Sequence, residues 1–303
     1  MITIQSFNLS NYTNDLVVTD QTLSQLYNIA GDNVFVLPCG EQAKDFAWAQ
    51  KLCSWFLHKN LPRNGRIVAV GGGSVGDVAG FSASIYKRGV KVLQVPTTLL
   101  AMVDSAIGGK TAINLDGVKN AVGTIIDVDT LIDTRFLQTL SSDQIADGFG
   151  EIEKYRLLDE QIACYQGDLD GLIALCANYK QRVVQSDLYD RGARQRLNLG
   201  HTVAHGLELT YGISHGQAVK YGLYHEMALA VALGVYDKAK FEDWSGKMQL
   251  DISQYPITDA VLQAMQKDKK NHNGLVVFVL PTNNFETYQT DLTIEEVKKY
   301  VVR

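Results

Sequence analysis

Four of the chain's six histidines, His201, His205, His215 and His225, fall within 25 residues. His201 and His205 are spaced i, i+4, so on a helix they share a face and either or both can point at a divalent metal. A lone histidine is more often a hydrogen-bonded core or surface residue. Here, however, GHTVAH and SHGQAV each join a histidine to a glycine and lie close enough in sequence to converge. His225 has no such setting and reads as structural. A divalent ion usually also takes a carboxylate, and Glu151 in GEIEK offers one. Lys154, three residues later, shares that helical face, so a metal ligand and a cation can address one pocket.

A second centre of chemistry is VAVGGGSVGD, Val68 to Asp77, an apolar strand running into a glycine turn and then a helix. Gly71, Gly73 and Gly76 satisfy G-x-G-x-x-G, in which bare backbone lets a pyrophosphate approach the amides at a helix N-terminus. The acidic residue that ordinarily follows to bind the adenosine ribose is missing, the sequence there reading YKRGVKVLQV. Asp20, at the end of the LVV strand, is the candidate in its place; a turn that needs only positive φ is the plainer alternative. Val95 to Asn120 then sets hydroxyls (Thr97, Thr98, Ser105), a carboxylate (Asp104) and two lysines (Lys110, Lys119) in otherwise apolar sequence, unlike a solvated loop. Its GGKT resembles the tail of a P-loop, but the motif's first glycine would fall on Asp104, which excludes a triphosphatase. Further cations stand at Lys180, Arg191, Arg194 and Arg196, and at Lys267, Lys269 and Lys270. In a chain of net charge −5 they imply a pocket for an anionic substrate.

The elements that must position these groups follow from pattern. Over the first 140 residues, β-rich runs (ITIQSF, LVV, VFVL, RIVAV, KVLQV) alternate with helical stretches, which implies an α/β fold with a mostly parallel sheet covered on both faces. No proline occurs from Thr97 to Tyr255, and beyond about Ser141 long amphipathic helices take over, among them Leu175 to Gln185 and His215 to Leu233. Near the end, Asn273-Gly274 signals a turn before a strand, and Thr293 to Glu296 is a capping box opening a last helix. The domain boundary is expected near residue 140.

Composition narrows the function classes. At 303 residues, 46% hydrophobic and 20% charged, the chain is a globular protein of two domains. An isoelectric point near 5.7 argues against nucleic-acid binding. The longest apolar stretch, Met227 to Tyr236, is about half of what a membrane span needs, and the start has no basic region followed by an apolar block, so neither a span nor a secretion signal is expected. Cys39, Cys53, Cys164 and Cys176 lie far apart with no CxxC pair, which reads as four reduced core residues and a cytoplasmic protein.

GGGSVGDVAGFSASIYKRG, QVPTTLLAMVDSAIGGKTAIN, GEIEK, LNLGHTVAH, SHGQAV and DKKNHNG, in this order, strongly resemble 3-dehydroquinate synthase, with the likeness running from about Pro38 to Pro281. The resemblance implies an NAD-dependent lyase of the shikimate pathway that uses Zn2+ or Co2+. Its substrate would be a phosphorylated sugar acid, 3-deoxy-D-arabino-heptulosonate 7-phosphate, and its products 3-dehydroquinate and phosphate. The implied route is transient oxidation by NAD, phosphate elimination, re-reduction and an intramolecular aldol closure. The implied fold is an NAD-binding Rossmann-like domain, residues 1–140, followed by a mainly helical metal- and substrate-binding domain, residues 141–303, in a homodimer.

Position by position, the resemblance gives the metal to Glu151, His201 and His215. It gives NAD to Asp20, Glu41, Lys44, Gly72, Gly73, Asp77, Thr97, Thr98, Leu100, Asp104, Ser105, Lys110, Lys119 and Thr139. Substrate contacts would come from Asp104, Lys110, Asn120, Lys154, Lys180, Arg194, Asn198, His205 and Lys269, with Arg88 reaching the phosphate of the partner subunit's substrate. Within that set Lys110, Asn120, Arg194 and Lys269 would grip phosphate, Lys180 and Asn198 carboxylate, and His205 would assist proton transfer. Asp190 stands where the family carries glutamate and joins the candidates. Glu153 and Arg156 replace an apolar and a small residue beside Lys154. The chain is also shorter than its family between VVTD and CGEQAK and again after Leu158. Other sugar-phosphate cyclases, metal-dependent polyol or glycerol-phosphate dehydrogenases, and a non-catalytic NAD-binding protein are the alternatives.

Overall fold

A computed structural model describes residues 1–267 and 271–301. In chain order the elements begin with β1 (Ile2–Ile4), β2 (Leu16–Asp20), α1 (Gln21–Leu26), β3 (Val34–Leu37), α2 (Phe46–His58), β4 (Arg66–Gly71) and α3 (Gly73–Ile85). There follow β5 (Lys91–Pro96), β6 (Lys110–Leu115), β7 (Val118–Ile125), β8 (Val128–Ile132), α4 (Ser142–Arg156), α5 (Glu160–Ala163) and α6 (Leu169–Ser186). The chain ends with α7 (His201–Tyr211), α8 (His215–Ala232), α9 (Lys238–Met248), α10 (Asp259–Gln266), β9 (Val276–Pro281), β10 (Thr287–Leu292) and α11 (Ile294–Val301). Two compact units result: Met1–Ile145 with Asp168–Tyr189, and Ala146–Gly167 with Asp190–Arg303.

The first unit is built on a six-stranded sheet of order β1-β8-β5-β4-β2-β3, parallel throughout. Its central strands read as unbroken apolar runs because helices cover both faces: Ile67, Val68, Ala69 and Val70 of β4 are all buried. Leu52 and Phe56 of α2 and Val75, Val78 and Ala79 of α3 complete that core. All five expected strands are present. The lysine-bearing stretch adds a hairpin, β6 against β7, closed by Asp116-Gly117 with φ of 50° and 79° at the two turn residues.

The second unit is mainly helical, with α7, α8, α10 and α11 packed on the antiparallel pair β9–β10 around Val203, Leu207, Leu229, Val261 and Phe278. The expected capping box forms: Thr293 N–H donates to Glu296 at 2.8 Å, and Glu296 N–H to the Thr293 hydroxyl at 3.3 Å. The expectation of four core cysteines needs correcting. All four are free thiols, but Cys39 and Cys164 are exposed, and Cys176 alone of them is buried. Cys39 follows β3 on a loop beside Thr22, and Cys164 is the C-cap of α5, where no second layer covers them.

His225, on α8, is buried as a structural histidine should be, and burial lowers its pKa to about 4. An unfolded chain takes up this proton near pH 6.5, whereas the folded chain refuses it until about pH 4. Stability conferred by the neutral ring is therefore complete above pH 6.5 and is lost as pH falls across that window. We expect His225→Leu to remove up to about 3 kcal/mol of this acid lability. The check is thermal melting from pH 7 to 4.5, where the variant's melting temperature should fall less steeply than the parent's; parallel slopes would refute it.

Candidate active site

In the first unit, β4 ends at Gly71 and α3 begins at Gly73, so the glycine motif is a strand-to-helix turn. A Cβ at Gly71 would stand 2.4 Å from Val75 Cβ, so packing excludes a side chain there, and one at Gly76 would stand 2.7 Å from Gln94 Oε1 and displace that side chain's amide. A Cβ at Gly72 would lie 3.1 Å from Thr98 and one at Gly73 3.1 Å from the Ser105 hydroxyl, while Thr97 N–H donates to the Gly71 carbonyl at 3.0 Å. Gly72, Gly73, Thr97, Thr98 and Ser105 thus gather at the carboxyl ends of β4 and β5, where open α/β sheets bind ligands. Leu100 and Asp104 flank this group, Asp104 within the wide helical turn Ala101–Ser105 and Leu100 as its N-cap.

A second group forms around Lys44, whose buried ammonium reaches Asp77 at 2.7 Å and the Asn120 side-chain oxygen at 2.6 Å, with Glu41 at 3.8 Å. Two residues not anticipated extend it: the Ser74 hydroxyl donates to Glu41 at 3.2 Å and the Asn114 amide at 2.8 Å. A third pair joins Lys180 on α6 to Asp104, through its carboxylate at 2.9 Å and its backbone carbonyl at 2.6 Å. Asp20 is the N-cap of α1, accepting from Leu23 N–H at 2.9 Å, and the Thr139 hydroxyl bonds Tyr27 at 2.8 Å. Lys110 and Lys119 are exposed on the β6–β7 hairpin. Arg88 is exposed after α3, in a left-handed turn with φ of 66°.

The second unit holds the histidines. Glu151, His201 and His215 present ligand atoms all within 4.8 Å of one another. Close helix packing brings them together. A Cβ on Gly150 of α4 would fall 2.1 Å from the Gly216 carbonyl, and one on Gly216 of α8 1.7 Å from the Asp147 carbonyl, so α4 and α8 touch backbone to backbone beside Glu151 and His215. The Asp147 carboxylate also accepts from Gly216 N–H at 2.6 Å and pins the start of α8. His201 opens α7, and His205, one turn on, packs its ring edge-on against it with centroids 5.5 Å apart.

The hydrogen bonds fix which nitrogen faces inward. A carbonyl only accepts, so His201 Nδ1 is the donor to Leu199 O at 3.0 Å, and the Nε2 lone pair points at Glu151 Oε1, 3.3 Å away. His215 Nδ1 likewise donates to the Glu208 carboxylate at 3.3 Å, turning Nε2 to the same Glu151 oxygen at 3.1 Å. Burial keeps His201 neutral, with its pKa lowered to about 4 against the pull of Glu151. An imidazole lone pair therefore faces a carboxylate oxygen, and a cation between them satisfies both. Burial also opposes a charge on His215, but Glu151 and Glu208 outweigh it and carry its pKa to about 10. Glu151 is fully buried; Lys154, His201 and His215 offset that burial and hold its carboxyl well below the usual range.

These distances suit a metal. Tetrahedral bonds of about 2.1 Å place ligand atoms roughly 3.4 Å apart, close to the 3.1 and 3.3 Å found. One carboxylate and two imidazoles are a donor set that holds zinc or cobalt and leaves a coordination position for a ligand oxygen. Lys154, 1% exposed, pairs with the other oxygen of Glu151, so ligand and cation do share one face of α4. Glu208 was not among the sequence candidates, although it lies three residues after His205 on the same helical face. Arg194 is buried and Asn198 partly buried in the turn Ala193–Asn198; Asp190 precedes it with φ of 58°, and Lys269 lies outside the described residues. Glu153 is buried and pairs with Arg156 at 3.3 Å.

Comparison with known proteins gives this geometry its family. Residues 34–147 match the family described as 3-dehydroquinate synthase N-terminal, and residues 126–271 that described as 3-dehydroquinate synthase C-terminal. A 3-dehydroquinate synthase of Alkaliphilus metalliredigens is 37% identical, the match covering 94% of this chain and 88% of that protein. One of Thermococcus kodakarensis is 38% identical over 88% of this chain and 79% of its own. Among solved structures, the 2-epi-5-epi-valiolone synthase ValA of Streptomyces hygroscopicus, with NAD+ and Zn2+ bound, superposes with a TM-score of 0.82 at 24% identity, covering 99% of this chain and 95% of that one. A 2-deoxy-scyllo-inosose synthase complexed with carbaglucose-6-phosphate, NAD+ and Co2+ gives 0.83 at 22%, with the same coverage. The solved structures share the fold, and with both halves matched to one family and relatives above 30% identity along most of its length, the chain belongs to the 3-dehydroquinate synthase family.

Proposed function

We propose that the chain converts 3-deoxy-D-arabino-heptulosonate 7-phosphate to 3-dehydroquinate and phosphate. The observation that carries this reading is the Glu151–His201–His215 cluster, whose ligand atoms lie within 4.8 Å of one another beside a buried lysine in a chain of this family. NAD and a divalent metal, when bound, would supply a reversible hydride acceptor and a Lewis acid for a sugar alcohol. Glu151, His201 and His215 are assigned to the metal. The Leu199 carbonyl and Glu208 fix both rings so that their Nε2 atoms stay turned inward.

Lys154 is assigned to the substrate, its ammonium held at the metal ligand by Glu151 rather than left in solvent. His205, whose ring packs on His201, is assigned to proton transfer. In the first unit we assign the glycine turn with Thr97, Thr98, Leu100 and Ser105, and the Glu41–Lys44–Asp77 network, to NAD, together with Asp20, Lys119 and Thr139. Lys110, Asn120, Arg194 and Lys269 are assigned to phosphate, Lys180 and Asn198 to carboxylate, Asp104 to both ligands, and Asp190 to support of the site. A substrate bearing phosphate and carboxylate needs such cations in a chain of net charge −5. Arg88, offered on an exposed turn, is assigned to a neighbouring copy's substrate in a homodimer. Among the described residues no helix is long and apolar enough to cross a membrane; residence in the cytoplasm belongs to the same proposal.

The test is incubation with the heptulosonate phosphate and a catalytic amount of NAD, following phosphate and ring product together. One phosphate per ring, with no accumulation of NADH, is expected. Net NADH without phosphate release would instead identify a dehydrogenase.

A further inference from the structure

Helix α7 begins without a cap of its own. Its N-cap residue is Gly200, in a left-handed conformation with φ of 81° and no side chain to receive the first free N–H groups. Those groups are met from another helix. The Glu226 carboxylate, on α8 and fully buried, accepts from Gly200 N–H at 2.6 Å, Thr202 N–H at 3.0 Å and Val203 N–H at 3.2 Å. The residue bracketed by these three donors is His201.

Packing leaves this turn no other seat. A Cβ on Gly222 would lie 1.9 Å from the Gly200 carbonyl, and one on Gly200 2.8 Å from Leu223, so α7 starts with its backbone against α8. The Thr202 hydroxyl adds a bond to the Val277 carbonyl at 2.8 Å. His215 is the first residue of α8, and Glu226 lies 11 positions further, three turns on and back on nearly the same face. One helix therefore carries one imidazole itself and fixes the backbone of the other, His201, through a charge-assisted clamp on a helix N-terminus.

We propose that Glu226 is a positioning residue for the metal site, setting where His201 stands relative to His215 and Glu151. This rests on the metal reading above, and the test separates the two. Co2+ is titrated into the full-length apo-protein, recording its visible absorption and its dissociation constant for the parent, His201→Ala, Glu226→Gln and Glu226→Asp. Phe278→Leu, a truncation in the second unit's core that removes none of the Glu226 bonds, controls for lost stability. If the parent binds no Co2+, or His201→Ala binds it equally well, the metal reading fails.

If the parent binds one equivalent, Glu226→Gln should weaken Co2+ on the order of 10- to 100-fold and shift its visible bands, because the amide cannot accept all three N–H bonds. Glu226→Asp, which keeps the charge on a shorter arm, should recover part of both. Phe278→Leu should lower the melting temperature while leaving affinity and spectrum unchanged. The proposal is overturned if a folded Glu226→Gln protein binds Co2+ with the parent's affinity and spectrum, or if Phe278→Leu weakens binding as much. Should Glu226→Gln not fold, Glu226→Asp decides by the same readings, and parental values there overturn it.

Discussion

His201→Ala should abolish metal binding and turnover while the fold stays in place. The ring's Nδ1 bond to the Leu199 carbonyl is a neutral one and is worth about 1 kcal/mol. The start of α7 is held instead by Glu226 and Thr202, which the substitution does not touch. The apo-protein should therefore melt within a few degrees of the parent. Metal affinity behaves differently, since removal of one of three protein ligands leaves only the Glu151 and His215 pair. Loss of the Lewis acid forfeits several kcal/mol of charge stabilisation, on the order of a thousandfold or more in rate. Thermal melts with and without Co2+ check both halves together: the ion should raise the parent's melting temperature by mass action and leave the variant's unchanged. A variant that still gains stability from the ion, or still turns over, would refute the assignment of His201.

How much of this was legible beforehand depended on the range over which each signal acts. Strand and helix patterns are local, and each of the five runs expected as strands is one. The β6–β7 hairpin is less legible because polar residues and a register shift between Ile113 and Leu115 interrupt its apolar alternation. That α6 clusters with the sheet of the first unit could not be read at all, since periodicity shows which face of a helix is apolar but not which partner will cover it.

The site divides along the same line. Histidine spacing left His201, His205 or both open as ligands, the family resemblance selects Glu151, His201 and His215, and the structure brings those three together. Lys44, Asp77 and Asn120 were named as contacts for bound molecules, but nothing in their spacing said that they meet one another, which takes three separate elements. The residues that hold the ligands in place stayed hidden. Asp147 lies four residues before Glu151 and Glu208 seven after His201, spacings that share a helical face, yet a glutamate on a helix is ordinarily a solvated residue. Glu226 acts across helices on backbone N–H groups, and backbone leaves no mark in a sequence.

Lys154→Ala should lower turnover on the order of 100-fold or more while the metal stays bound. Lys154 is buried to 1% exposure and its ammonium pairs with Glu151, so in the apo-protein the substitution strands a buried carboxylate and should cost stability. Once a divalent ion is present the argument reverses. An ammonium and a dication next to one carboxylate repel, so removing the former leaves Glu151 a better ligand, and Co2+ affinity should match or exceed the parent's. A residue that merely supported Glu151 would do the opposite, weakening the metal in proportion to the loss of rate. The discriminating measurement is therefore paired: metal content of the purified variant by atomic absorption, and phosphate release at saturating metal and substrate. One equivalent of metal with kcat depressed places Lys154 at the reacting substrate; metal lost in step with kcat would make it a support for Glu151 instead, and kcat within about threefold of the parent would remove it from the site.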